Sequence, residues 1–249
     1  MRPLLDVREV GKRYGGIVAL AGCSLAIRRP GIYGLIGPNG AGKTTLFDVI
    51  TGATDPDAGA VSWGSRDITG VSAHRLAALG IARSFQECRI LPEYDCLDNL
   101  LFALLPKGLT RALRQIASRE RPSPSAHDEA VRLLRLVNLE SYAHEPAGNL
   151  SFGQRRLLEI VATFIVRPGL LMLDEPASGV NPALLETLAR FLRVMYEERP
   201  AVFLVVEHNM EFIMGLAHEI IVMHQGSVLE RGLPESIRAS PRVVEAYLG

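Results

Sequence analysis

Apolar positions recur along this chain in two rhythms. Residues 4–10 and 23–28 alternate with the period of two that marks half-buried strands. Gly31-Ile32-Tyr33-Gly34-Leu35-Ile36 is a short apolar run that ends in a glycine-rich turn, and from Lys43 to Ile50 the spacing becomes helical. Strand, loop and helix therefore follow one another around Gly37. Between about Asp95 and Glu145 strand signals are scarce. There Val131, Leu134, Leu136, Val137 and Leu139 predict an amphipathic helix, with an exposed linker at residues 119–125 before it. Further on, residues 170–173 and 202–206 have the unbroken apolar look of strands buried on both faces. Helices are predicted around them at residues 152–166, 183–198 and 209–216. This alternation predicts an α/β fold, a mostly parallel sheet with helices packed on it and a helical insertion in the middle.

The turn after the first buried run carries chemistry. Gly37-Pro38-Asn39-Gly40-Ala41-Gly42-Lys43-Thr44 fits G-x-x-x-x-G-K-[ST] at every fixed position. Glycines let the backbone turn tightly and bring N–H groups against phosphate oxygens. The helix that follows offers its positive N-terminal end to the same anion. Lys43 can reach the β- and γ-phosphates, and Thr44 can place a hydroxyl on Mg²⁺. A dinucleotide loop has a different glycine spacing and leaves the Lys-Thr pair unexplained. The run 170–173 ends in Asp174 and Glu175, where a buried strand first meets ligand or solvent. Asp174 is placed to hold Mg²⁺, and Glu175 is the candidate general base for an attacking water.

Composition narrows the partners. The 249 residues carry 27 Lys+Arg and 27 Asp+Glu, so the formal charge is zero. Nucleic-acid binders usually show a basic excess, and no nucleic-acid partner is expected. The three cysteines, Cys23, Cys88 and Cys96, have no CxxC spacing and read as reduced thiols. The start has no apolar stretch of signal-peptide length, and no stretch approaches the roughly 18 apolar residues of a membrane helix. Work at a membrane is expected to pass through a partner.

Phosphate loops occur in kinases and GTPases as well. The stretch Leu150-Ser151-Phe152-Gly153-Gln154-Arg155-Arg156 resembles the signature sequence of the ATP-binding cassette family. Tyr14 is similar to that family's adenine-stacking aromatic, Gln86 to the glutamine linking γ-phosphate and Mg²⁺ to the transport partner, and His208 to the histidine on the γ-phosphate. The resemblance implies a P-loop NTPase (RecA-like) core with an antiparallel β subdomain and a helical subdomain insertion. Residues 1–249 form one such ATPase domain in this reading. About 1–94 and 146–249 make the catalytic core, and about 95–145 the helical part. It implies ATP bound by Tyr14, Gly37, Pro38, Asn39, Gly40, Ala41, Gly42, Lys43, Thr44 and Thr45. Ser151, Gly153 and Gln154 reach the ATP of a second subunit. Mg²⁺ falls to Thr44, Gln86 and Asp174, and hydrolysis to Glu175, His208, Gln86 and Lys43. Two departures stand out: Phe152 replaces the usual first glycine of the signature pair, and Asn181 stands where aspartate is frequent.

A single cassette with no membrane span resembles the separate ATPase of a transporter. It works with a second cassette, identical or different, two integral-membrane permease subunits and, indirectly, a solute-binding protein, on the cytoplasmic face of the membrane. Tyr14-Gly15-Gly16, Ala82-Arg83-Ser84-Phe85-Gln86, Val206-Glu207-His208-Asn209-Met210 and the ending Ala246-Tyr247-Leu248-Gly249 are similar to the ATPases of branched-chain amino acid importers. The insertion after Pro106 resembles the larger of that family's two ATPases. Lipopolysaccharide exporters share much of the pattern, and a non-transport cassette ATPase is the other alternative. Residues 87–105 correspond to the groove that receives the permease. The cluster Lys107, Arg111, Arg114, Arg119 and Arg121 faces lipid, a partner or solvent.

Overall fold

The computed structural model describes residues 3–84, 90–104 and 123–248. Gln86, Cys88 and the basic cluster from Lys107 to Arg121 lie outside the described residues. The chain divides into two compact units: residues 1–83, 169–177 and 195–249, and residues 84–168 and 178–194.

The first unit holds two sheets. Strands β1 (Leu5–Tyr14), β2 (Ile17–Ile27), β4 (Ala58–Trp63) and β5 (Arg66–Asp67) form an antiparallel sheet in the order β2-β1-β4-β5. The second sheet runs β10-β9-β3-β8-β7-β6. Its members are β3 (Gly31–Ile36), β6 (Ile81–Arg83), β7 (Leu170–Asp174), β8 (Val202–Val206), β9 (Glu219–His224) and β10 (Ser227–Gly232). All neighbours are parallel except β10, which runs antiparallel to β9 at the edge. Every residue of β3, β7 and β8 is buried, which is why these strands read as continuous apolar runs. Each fully buried Leu, Ile or Val removes enough apolar surface to stabilise the fold by about 1.5–3 kcal/mol. Helix α1 (Lys43–Ile50) adds Leu46, Phe47, Val49 and Ile50 to one core with Val10 and Leu25 of the antiparallel sheet and Met172, Leu204 and Val206 of the parallel one.

Parallel pairing has a consequence for chemistry. The C-terminal ends of β3, β6, β7 and β8 leave the sheet on one side. They deliver the loop after Ile36, Arg83, Asp174-Glu175 and Glu207-His208 to the same rim, where open α/β sheets bind ligands.

The second unit is helical. The helices Cys96–Ala103, Pro124–Leu136 and Phe152–Ile165 pack on one another. Pro182–Glu198 contributes its first thirteen residues, with Phe191 edge-on to Phe164 at 4.9 Å between ring centres. Arg156 and Glu159 form a buried ion pair of 2.8 Å along one helix face. Asn99 holds the preceding loop: its Nδ2 donates to the carbonyls of Leu91 and Asp95, and its Oδ1 accepts from the Leu91 N–H.

Two expectations need correction. The helix expected to run through Val137 and Leu139 ends at Leu136, because Asn138 adopts the left-handed backbone (φ +59°) that closes helices. The linker expected through Ser125 stops earlier. Ser123 caps the Pro124–Leu136 helix by accepting from the Ala126 N–H, and Pro124 fills its first position.

Candidate functional site

The phosphate loop starts at Gly37, whose φ is +152°. A Cβ there would lie 2.2 Å from the Met223 carbonyl oxygen, so only glycine fits. The loop closes on itself through the Ala41 N–H to the Pro38 carbonyl and is tied to the turn between β9 and β10 by the Gly226 N–H on the Ala41 carbonyl. Gly42 caps α1 with no side chain, which leaves the helix's first N–H groups facing the loop. Lys43 is buried, and its Nζ donates to the carbonyls of Gly37 (2.7 Å) and Pro38 (3.0 Å). Burial lowers the Lys43 pKa, while Glu175 and Asp174 work against that shift. Pro38 and Thr45 are half-buried, and Asn39, Gly40 and Thr44 are exposed. Tyr14 ends β1 with 48% of its surface exposed, and the Lys12 ammonium lies over its ring, 5.6 Å from the centre.

Asp174 ends β7 fully buried, and its Oδ2 accepts from Arg83 Nη2 at 2.9 Å. Arg83 also reaches Asp48 Oδ1 (2.6 Å) and Thr51 Oγ1 (3.1 Å), both from the end of α1, and lies over the Phe47 ring. One guanidinium therefore links the metal-binding candidate to the helix behind the phosphate loop. Sequence reading missed Arg83, since a lone arginine on a three-residue edge strand carries no local signal.

Glu175 stands at φ +46°, and its N–H donates to the Val206 carbonyl at 2.9 Å. That backbone turns its side chain toward the neighbouring strand end, where Oε1 lies 3.2 Å from His208 Nε2. Glu207 is buried, and three backbone N–H groups bind its carboxylate. Burial raises its pKa, and those three hydrogen bonds oppose the rise. The C-terminal helix Pro241–Leu248 brings Tyr247 to the Gly37 N–H; burial raises this phenol's pKa and that hydrogen bond opposes it.

The donor set suits the ligands expected. The Thr44 hydroxyl and the Asp174 carboxylate are hard oxygen ligands of the kind Mg²⁺ takes. At Gly40 (φ +79°) a Cβ would meet nothing within 4 Å, so the crest of the loop is open to a phosphate. The first unit thus brings together Gly37 to Thr45, Asp174, Glu175 and His208.

Ser151, Gly153 and Gln154 belong to the second unit. They open the Phe152–Ile165 helix with a reciprocal cap: the Gln154 N–H donates to Ser151 Oγ, and the Ser151 N–H to Gln154 Oε1. Gly153 is buried against Leu184 and Val180. Both departures acquire a physical account. The Phe152 ring lies on Gly179, whose left-handed backbone (φ +70°) leaves no Cβ to collide; one there would sit 2.6 Å from Phe152 Cε1. Asn181 Oδ1 accepts from the Leu184 N–H at 3.0 Å and caps the next helix, a task asparagine and aspartate perform equally well. In the segment expected to receive a permease, Leu97, Leu100 and Leu101 are core, whereas Leu91 and Tyr94 are exposed.

Known proteins share this organisation. Residues 20–178 match the family described as ABC transporter. The chain is similar to the high-affinity branched-chain amino acid transport ATP-binding protein LivG of Salmonella typhimurium, with 38% identity over all of this chain and 98% of LivG. It is 37% identical to the corresponding protein BraF of Pseudomonas aeruginosa, again over 100% of this chain and 98% of the relative. The solved ADP conformation of MJ1267, an ATP-binding cassette of an ABC transporter, superposes with a TM-score of 0.84 at 29% identity over 100% of both chains.

Proposed function

The chain belongs to the ABC transporter family, and from that premise we propose that it is the ATP-hydrolysing subunit of an importer for branched-chain amino acids or closely related amino acids and amides. The observation that carries the hydrolytic reading is the contact of 3.2 Å between Glu175 Oε1 and His208 Nε2, on the sheet rim that also bears the phosphate loop. The cargo rests on full-length similarity to LivG and BraF.

Each residue then has a task. Tyr14 stacks on adenine. The backbone of residues 37–42 and the N-terminus of α1 cradle the phosphates, and Lys43 leaves its loop carbonyls for the β- and γ-oxygens. Thr44, Asp174 and Gln86 hold Mg²⁺, which when bound neutralises phosphate charge. Arg83 keeps the Asp174 carboxylate in place. Glu175 orients and polarises the attacking water, with His208 fixing its side chain and contacting the γ-phosphate. Ser151, Gly153 and Gln154 supply the other face of the site to a second subunit, so ATP closes a dimer and hydrolysis reopens it. The dimer drives two integral-membrane permeases served by a solute-binding protein. Among the described residues no helix is long and apolar enough to cross a membrane. Attachment to the inner face therefore runs through the permeases. Residues 1–249 act as one ATPase domain.

Reconstitution with both permeases and the binding protein in proteoliposomes tests this. Leucine, isoleucine or valine stimulates ATP hydrolysis in the wild type and not in a Lys43→Ala chain. Glu175→Gln binds ATP, remains dimeric and loses about 10²–10⁴-fold in rate, the usual contribution of a general base. Hydrolysis by that variant at the wild-type rate refutes the base assignment. Stimulation by an unrelated solute alone refutes the cargo.

A further inference from the structure

Glu207 follows β8 directly, is 2% exposed, and has no task in the reaction just described. Backbone groups occupy both of its oxygens. Oε1 accepts from the Ala177 N–H at 2.6 Å, and Oε2 accepts from the N–H groups of His208 (3.0 Å) and Asn209 (3.2 Å). These donors lie on two loops. Ala177 belongs to the turn that begins with Asp174 and Glu175, and His208 and Asn209 lead into the Met210–Leu216 helix. The two loops leave the sheet side by side, because Asp174 pairs with Val206 across parallel strands. Past that pair the ladder ends with the Glu175 N–H on the Val206 carbonyl.

From this geometry we infer that Glu207 is a positioning residue for hydrolysis: its carboxylate ties the Glu175 loop to the His208 loop and so sets the contact between Glu175 and His208. The chemistry of the site requires an ionised carboxylate. Three N–H donors converge from two directions, and only a carboxylate presents acceptors alone on both oxygens. An amide of the same shape must aim its NH₂ at one set of donors, which releases one loop. Aspartate keeps the charge but is one methylene too short to span both. The spacing of base and histidine is then left to exposed side chains, and small displacements of reacting groups are costly in rate.

The inference rests on the roles given to Glu175 and His208, and a mutant cycle in the reconstituted full-length transporter separates the two. In Glu207→Gln we expect kcat to fall between about 10- and 100-fold, with KM for ATP and equilibrium ATP affinity unchanged within about twofold. Because Glu207 acts through His208, the same substitution in a His208→Ala background costs nothing further. Glu207→Asp gives an intermediate loss and runs the same cycle if the glutamine variant does not fold. Wild-type kcat in Glu207→Gln overturns the inference, as does a loss of equal factor in the His208→Ala background. A fall in ATP affinity that accounts for the whole loss of rate reduces Glu207 to fold support and overturns it too. Full hydrolysis by His208→Ala alone refutes the underlying assignment of His208 instead.

Discussion

Cys23 and Cys96 are completely buried, and burial pushes each thiol up to about 11, helped by Glu9 at Cys23 and by Asp95 and Glu145 at Cys96. Their sign is fixed. A thiol whose pKa is higher in the folded chain resists ionisation there. Native stability is therefore undiminished below pH 9, the ordinary thiol value, and declines as pH climbs from 9 through about 11. At pH 8 a thiol of pKa about 11 holds about one part in a thousand of reactive thiolate. Alkylation of the native chain at pH 8, counted by mass, should thus label at most one cysteine of three, namely Cys88. Two or more rapid labels would contradict the burial. At this scale the phosphate-loop and strand-end residues were legible in the sequence, because their spacing is dictated by a phosphate. Glu207 and Arg83 were not. Each is one charge beside an apolar run, and the partners that tie them to another strand end, Ala177 and Asp174, lie 30 and 91 residues away. Asp174 was read as a metal ligand without the guanidinium that shares it.

Ser151 shows how an element can be structural and functional at once. Its hydroxyl caps the Phe152–Ile165 helix, and removing such a cap costs about 1 kcal/mol. Ser151→Ala should therefore lower Tm by about 2–4 °C. Aspartate caps as well as serine, so Ser151→Asp should melt within about 1 °C of the wild type. Its charge would nonetheless repel a γ-phosphate at that helix end, and ATP-driven dimerisation should fail in both variants. Thermal melts beside light scattering with ATP distinguish the two losses; an aspartate variant that still dimerises would remove Ser151 from the site. Elements with strong periodicity were legible almost to the residue: Gly31–Ile36, Lys43–Ile50 and Val202–Val206 appear as read. The strands β4, β5, β6, β9 and β10 went unread. β5 and β6 have only two and three residues, too few for any period to show. β10 is mixed in polarity because it lies at a sheet edge. The helix end at Asn138 was hidden too, since Val137 and Leu139 are buried and continue the apolar count past the turn.

Taken whole, the chain is an ATP-binding subunit of the ABC transporter family. Among the described residues no helix is long and apolar enough to cross a membrane. The family was written along nearly the full sequence, while the cargo was legible only as a resemblance of motifs, with which the likeness to LivG and BraF agrees. Motor and fold make opposite demands at one backbone angle. Glu175 holds φ +46°, where a residue with a Cβ is about 1 kcal/mol worse off than glycine. Glycine's greater freedom in the unfolded chain offsets part of that difference. Glu175→Gly should leave Tm unchanged or raise it by as much as about 4 °C while abolishing hydrolysis, and a drop of more than about 4 °C would show that the angle carries no strain. A library of this gene sorted for heat survival alone would thus drift toward chains that cannot turn over. One sorted for growth on the imported solute would bring the glutamate back, so position 175 records which of the two pressures a lineage has lived under.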